Sequence, residues 1–180
     1  MKKIYESKNI VLEVELSKNI SFNNIFGKLK FIINGKNIAN DNENNLSYLY
    51  VDFESLKLLL EKNIKVENEL FQRTNKEILF IWNEWENYNL NFDLTNEEDY
   101  NVKFFDRNYF KTSNIFNSFF FDDIMIFYII EDNFLKFKYW YKLDGNIIYE
   151  ANLNKEELIN TINSFLSFFN STNNYFKDKL

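Results

Sequence analysis

Ile124-Met-Ile-Phe-Tyr-Ile-Ile130, Phe134-Leu-Lys-Phe-Lys-Tyr-Trp-Tyr-Lys142 and Ile147–Phe169 decide the fold. The first run is apolar and β-branched on both of its faces, which predicts a central strand covered from two sides. Asp132-Asn133 turns the chain into the second run. There Leu135, Phe137, Tyr139 and Tyr141 alternate with Lys136, Lys138, Trp140 and Lys142, a period of two that predicts one dry and one wet face. Asp144-Gly145 signals a hairpin, because Gly takes positive φ without steric cost. Ile147, Tyr149, Ala151 and Leu153 continue the dry face. Asn154 then offers a helix cap, and Glu157 three positions on can reach back to its N–H. Leu158, Ile159, Ile162, Phe165, Leu166 and Phe169 form one helical stripe, so the pattern is a β-meander with an amphipathic helix folded over its apolar face.

The same two periodicities organise the rest of the chain. Ile10, Leu12, Val14 and Leu16 alternate with Val11, Glu13 and Glu15. Leu29, Phe31 and Ile33 alternate with Lys28, Lys30 and Ile32. Antiparallel pairing of these strands sets Glu13 and Glu15 against Lys28 and Lys30, and Asn34-Gly35 closes a turn. The polar stretch 39–45 predicts a loop. Its Asp41-x-Glu43-x-Asn45 spacing resembles a calcium loop, but Leu46 stands where such a loop needs Gly. Residues 46–51 predict a short strand and Asp52 a cap for a helix from Phe53 to about Lys62, with Phe53, Leu56, Leu59 and Leu60 inward and Glu54 in the first turn. Thr74-Asn-Lys-Glu77 is a second capping box. Ile78, Ile81, Trp82, Trp85 and Tyr88 follow at helical spacing, an aromatic stripe that suits core.

No repeat or linker interrupts the 180 residues, which predicts one α+β domain over 1–180: an antiparallel sheet with amphipathic helices mainly on one face. The chain is 46% hydrophobic and 19% aromatic, enough apolar surface to fold without staples. It holds three Gly and no Pro, Cys or His beside abundant Asn, Lys, Ile and Phe, the mark of AT-rich coding. That bias also produces the Asn-x-Ser/Thr matches at Asn19, Asn45 and Asn170 by chance. The N-terminal residues lack the apolar stretch of a signal peptide, and no apolar run approaches a membrane span. These features predict a cytoplasmic protein without disulfides. A net charge of −6 disfavours nucleic acid as a partner and suits a basic one.

Without His or Cys, the Ser-His-Asp and Cys-His nucleophile systems, His-bearing zinc sites and imidazole acid–base pairs are excluded. Gly27, Gly35 and Gly145 are isolated, so no Gly-rich phosphate loop exists. The sequence therefore supplies no catalytic residue and calls for no cofactor or metal. Carboxylates are the one remaining chemistry. Asp122-Asp123 either binds a hard cation, serves a small carboxylate-dependent hydrolase as acid and base, or is a pair of solvated charges at a strand edge. Trp140 among its lysines is either an interface anchor or lies beneath a helix.

The residues assigned to partner binding are Asp93, Glu97, Glu98, Asp99, Tyr100, Phe104, Asp106 and Tyr109, in the least regular part of the chain, 89–118. Its carboxylates and rings either tuck into the domain edge or form a recognition loop, since long loops commonly bind something.

The segment Phe26-Gly27-Lys-Leu29-Lys-Phe31-Ile-Ile33-Asn34-Gly35-Lys36, followed by 46–51 and the helix from Phe53, resembles bacterial immunity proteins of polymorphic toxin systems of the contact-dependent inhibition type. The likeness covers roughly the first sixty residues, and the last fifty in pattern; 69–118 has no counterpart in it. The resemblance implies a small cytoplasmic protein that binds and occludes the cognate C-terminal toxin domain encoded beside it, without chemistry of its own. A toxin with a basic cleft, such as a nuclease, would suit the acidic charge. A non-toxin adaptor or structural subunit is the other non-catalytic reading.

Overall fold

A computed structural model describes residues 1–18, 20–40, 42–62, 69–90, 119–121, 124–141 and 147–178. Strands β1 (Lys2–Glu6), β2 (Ile10–Leu16), β3 (Phe26–Ile33) and β4 (Lys36–Asn37) run in that order across an antiparallel N-terminal sheet, with β5 (Asn44–Asn45) paired to the other end of β3. A second, C-terminal sheet holds β6 (Ile124–Glu131), β7 (Phe134–Tyr141) and β8 (Tyr149–Asn154) in sequence order. Helices α1 (Leu46–Glu61), α2 (Asn75–Leu90) and α3 (Lys155–Lys177) complete the α+β fold. Among the described residues the single expected sheet is thus two.

Alternation fixes the N-terminal sheet. Ile10, Leu12, Val14 and Leu16 are buried with Leu29, Phe31 and Ile33, and the register sets Glu13 opposite Lys30 and Glu15 opposite Lys28 as expected. Glu13 sits 2.8 Å from Lys2 and 3.9 Å from Lys30. Asn34 and Gly35 take φ of 50° and 79°, the left-handed pair that a tight hairpin requires. Gly27 answers a different need. A Cβ there would lie 2.6 Å from the Glu15 carbonyl oxygen and 3.1 Å from Leu46 Cδ1, so only a missing side chain lets α1 start this close to the sheet.

Helix α1 corrects the expected 46–51 strand. Asn45 is the cap, its Oδ1 accepting the Ser47 N–H at 2.9 Å, and Leu46, Leu49, Phe53, Leu56 and Leu60 are all buried at helical spacing. The mixed alternation of Leu46 to Val51 reads equally as one helical turn more. The better sealed option wins, because the longer helix buries Leu46 and Leu49 as well. Asp52 therefore lies buried inside the helix instead of capping it, and Glu54 is displaced from the first turn. Residues 44–45 of the expected loop pair with Phe26 and Gly27.

The meander and its helix form as expected, with three corrections. Strand β6 is buried on both faces, but among the described residues it pairs with β7 alone, and β7 is the strand between two others. Ile147 is exposed and β8 begins at Tyr149, so the dry face starts two residues late. The supposed wet face of β7 is dry. Trp140 is 1% exposed, and Lys138 is buried as well. Helix α2 covers that face, setting Ile78 and Trp82 on Met125, Phe127, Trp140 and Ile148, with Trp82 and Trp140 edge to face at 5.7 Å. Lys138 remains tolerable there because its Nζ reaches the Arg73 carbonyl at 3.2 Å and Glu150 at 3.4 Å.

The main core gathers the inner face of the N-terminal sheet, α1, α3 and the other face of the C-terminal sheet. Phe31 meets Phe53 at 5.8 Å and Phe53 meets Phe165 at 5.3 Å, both edge to face, so one aromatic chain runs from sheet to helix to helix. Phe137, Ile162 and Phe165 share this cluster, with Tyr149 partly buried against it. Asn154 caps α3 through the Glu156 and Glu157 N–H groups, while Glu157 Oε2 finds no hydrogen-bond partner, so only half of the expected box forms. The Thr74 box of α2 is complete: Glu77 accepts the Thr74 N–H at 2.8 Å, and Thr74 Oγ1 accepts the Glu77 N–H at 3.3 Å.

Candidate partner-binding surface

The eight residues assigned to partner binding, Asp93, Glu97, Glu98, Asp99, Tyr100, Phe104, Asp106 and Tyr109, lie outside the described residues. So do Asp41, Asp122, Asp123, Lys142 and the Asp144-Gly145 turn, and the side chains of Trp85 and Tyr88. Trp140 is withdrawn as an interface anchor, because α2 buries it. Its indole N–H has no hydrogen-bond partner and packs against Trp82 and Phe127, so it is a core ring rather than a wet one.

Among the described residues, the outer side of α1 carries a row of apolar residues that the core does not use. Tyr48, Val51 and Leu58 are 54%, 59% and 50% exposed. With Ser55 between them they recur at three- and four-residue steps. Since each helical residue advances about 100°, this row lies across the cylinder from the buried row of Leu46, Leu49, Phe53, Leu56 and Leu60. A helix apolar on two opposite sides is characteristic of an element covered on both. The flank of the row is charged and partly tied down. Tyr50 donates to Glu54 at 2.7 Å while stacking on Phe169 at 4.9 Å, and Lys57 sits 3.6 Å from Glu61. The N-terminal half of α1 is thereby held rigidly on α3, which suits a surface that binds without rearranging. No sequence expectation named this row. Its signal was present as Tyr48-x-x-Val51 and Leu58, hidden by assigning 46–51 to a strand.

Two further features bear on binding. A groove of about 490 Å³ opens between the β1–β2 end and the last turns of α3, lined by Leu16, Ser17, Ile20, Phe168 and Phe176 with Lys3 at its side. At the junction of the two sheets, Lys36 Nζ sits 3.1 Å above the Tyr149 ring and Tyr141 donates to the Asn37 carbonyl. Burial, aided by neighbouring Tyr141 and Tyr149, pushes the Tyr139 hydroxyl up to about 12, so it stays neutral there. Among the described residues no group of three His, Cys, Asp or Glu is placed to hold a metal, and no helix is long and apolar enough to cross a membrane.

Comparison with protein-family models, with curated proteins and with solved structures finds no match.

Proposed function

We propose that this chain is an immunity protein that binds a cognate bacterial toxin domain in the cytoplasm and neutralises it by occlusion. The observation that carries the reading is the second apolar row of α1. It is held on a helix packed against α3, and Val51 and Leu58 in it are exposed, as expected of a docking face. The helix belongs to the same segment, from Phe26 onward, whose sequence resembles immunity proteins. A net charge of −6 supports a basic toxin surface, and Asp93, Glu97, Glu98, Asp99 and Asp106 supply five of the chain's 27 carboxylates. In this proposal they steer the encounter, Tyr100, Phe104 and Tyr109 add anchors, and α1 provides the central contact.

The test is co-expression with the toxin C-terminal domain that, on this reading, a neighbouring gene encodes. The reading expects cells to survive the toxin domain only when this chain is present, and the two proteins to purify together at equal stoichiometry. Undiminished killing, with no complex recovered, overturns it.

A further inference from the structure

Among the described residues, β1 ends the N-terminal sheet and pairs with β2 alone. The Leu16 N–H donates to the Met1 carbonyl and the Ser7 N–H to the Ile10 carbonyl, both at 2.8 Å. Antiparallel ladders alternate, so Met1, Lys3, Tyr5 and Ser7 turn their main-chain groups toward β2. The N–H and C=O groups of Lys2, Ile4 and Glu6 therefore point to the open edge. The side chains of these three lie on the outer face, where Lys2 pairs with Glu13 at 2.8 Å, Ile4 is exposed, and Glu6 is exposed without an ion pair among the described residues. Natural proteins commonly block such edges with like charges. Here the charges are instead arranged to match themselves.

We propose that β1 is the seam of a two-fold dimer of this chain, pairing antiparallel with β1 of a second copy about Ile4. Lys-Lys-Ile-Tyr-Glu laid against its own reverse sets Lys2 opposite Glu6, Ile4 opposite Ile4, and Glu6 opposite Lys2. These are the three residues whose main-chain groups face outward, so register, hydrogen bonding and charge agree on one alignment. On the inner face the same alignment brings Lys3 over Tyr5 of the second copy, a cation–π pair. The groove flanked by Lys3 and by Tyr175 and Phe176 of α3 lies on that side and has room for the incoming side chains. The contact is isologous, so it closes at two copies. A five-residue seam buries far less than the ~800 Å² per partner of a standard interface, so the dimer is a weak one that dissociates on dilution. It is independent of the toxin-binding proposal, which concerns α1.

The experiment is sedimentation equilibrium of the full chain over a concentration series up to about 1 mM, the affinity range of weak contacts. Wild type should shift from monomer to dimer. Lys2→Glu and Glu6→Lys should each abolish the shift, because like charges then face each other at both ends of the seam. An equimolar mixture of these two variants should restore it as a heterodimer, since each position again meets its opposite. Ile4→Pro, which removes an outward N–H that β2 does not use, should also give a monomer with an unchanged melting temperature. A wild type that stays monomeric throughout, or a dimer that survives Glu6→Lys, overturns the proposal.

Discussion

Helices α1 and α3 pack on each other, yet their outward faces differ in kind. Along most of α3 the exposed positions, Glu156, Asn160, Ser164, Ser167, Asn170, Ser171 and Asn174, are polar, and the exposed ring of Tyr175 comes only near its end, beside the groove. Across α1 from its core row stand Tyr48, Val51 and Leu58. Burial accounts for the apolar residues of α3 from Leu158 to Phe169, whereas on α1 it leaves Tyr48, Val51 and Leu58 exposed. An exposed Val or Leu taken singly is ordinary on a protein surface, so it is their alignment in one row with Tyr48 that marks this side of α1 as a candidate contact.

The strongest way to break this comparison is to show that the inner rows are not what hold the helices. Phe165 is fully buried between Phe53 and Phe169. Phe165→Ala should cost about 3–5 kcal/mol in denaturant unfolding, as buried Phe truncations do. A smaller probe is Gly27→Ala, whose new Cβ would press on the Glu15 carbonyl and Leu46. It should cost about 1–3 kcal/mol, the range for overpacking. If α1 instead began at Phe53, Leu46 would yield and only the clash with the Glu15 carbonyl would remain, so the cost would fall.

Rates sharpen the outer-face side. Under the proposed function, replacing Glu97, Glu98 and Asp99 with their amides should slow toxin association and flatten its salt dependence while leaving dissociation nearly unchanged. Stopped-flow measurement at two ionic strengths checks this. An association rate that does not move would assign steering to other charges.

The smallest effect concerns α2, a helix whose start is fully capped. The Thr74 backbone N–H and hydroxyl, and then the nearby Arg73, hold the Glu77 carboxyl below the usual carboxylate range. A group depressed in the folded state stabilises above its unfolded pKa, and that contribution is lost as pH falls through the folded one. Wild type should therefore lose slightly more stability than Glu77→Gln on acidification through that window. Parallel acid melting curves for the two proteins are the check, and identical slopes would remove the box as a pH-dependent contributor.

Much of this fold was legible because periodicity and caps agree. The β2–β3 register followed from Glu13 and Lys30, and α3 from Asn154 and its single stripe. The errors share a cause: each needed knowledge of a distant cover. Lysines at 136, 138 and 142 marked Trp140 as wet, and nothing local announces that α2 closes over it. Strand β6 looked central because both faces are apolar, yet burial by helices and by a sheet does not require a neighbour on each edge. Between Leu46 and Val51 either period fits, and contact across Gly27 decides. Misreading that turn also hid the outer row of α1, so the surface proposed to bind was illegible for the same reason that the helix start was. The acidic–aromatic residues from Asp93 to Tyr109 remain a reading of the sequence.

The central claim is that the outer row of α1 binds and does not fold the protein. Calorimetric titration of the adjacent toxin domain with the Val51→Glu, Leu58→Glu double variant, beside a thermal melt, tests it directly. The account predicts affinity weakened at least 100-fold, the loss of about 2.7 kcal/mol that central anchors can carry, with stability within about 0.5 kcal/mol per substitution of wild type. Undiminished affinity in a folded double variant would contradict it.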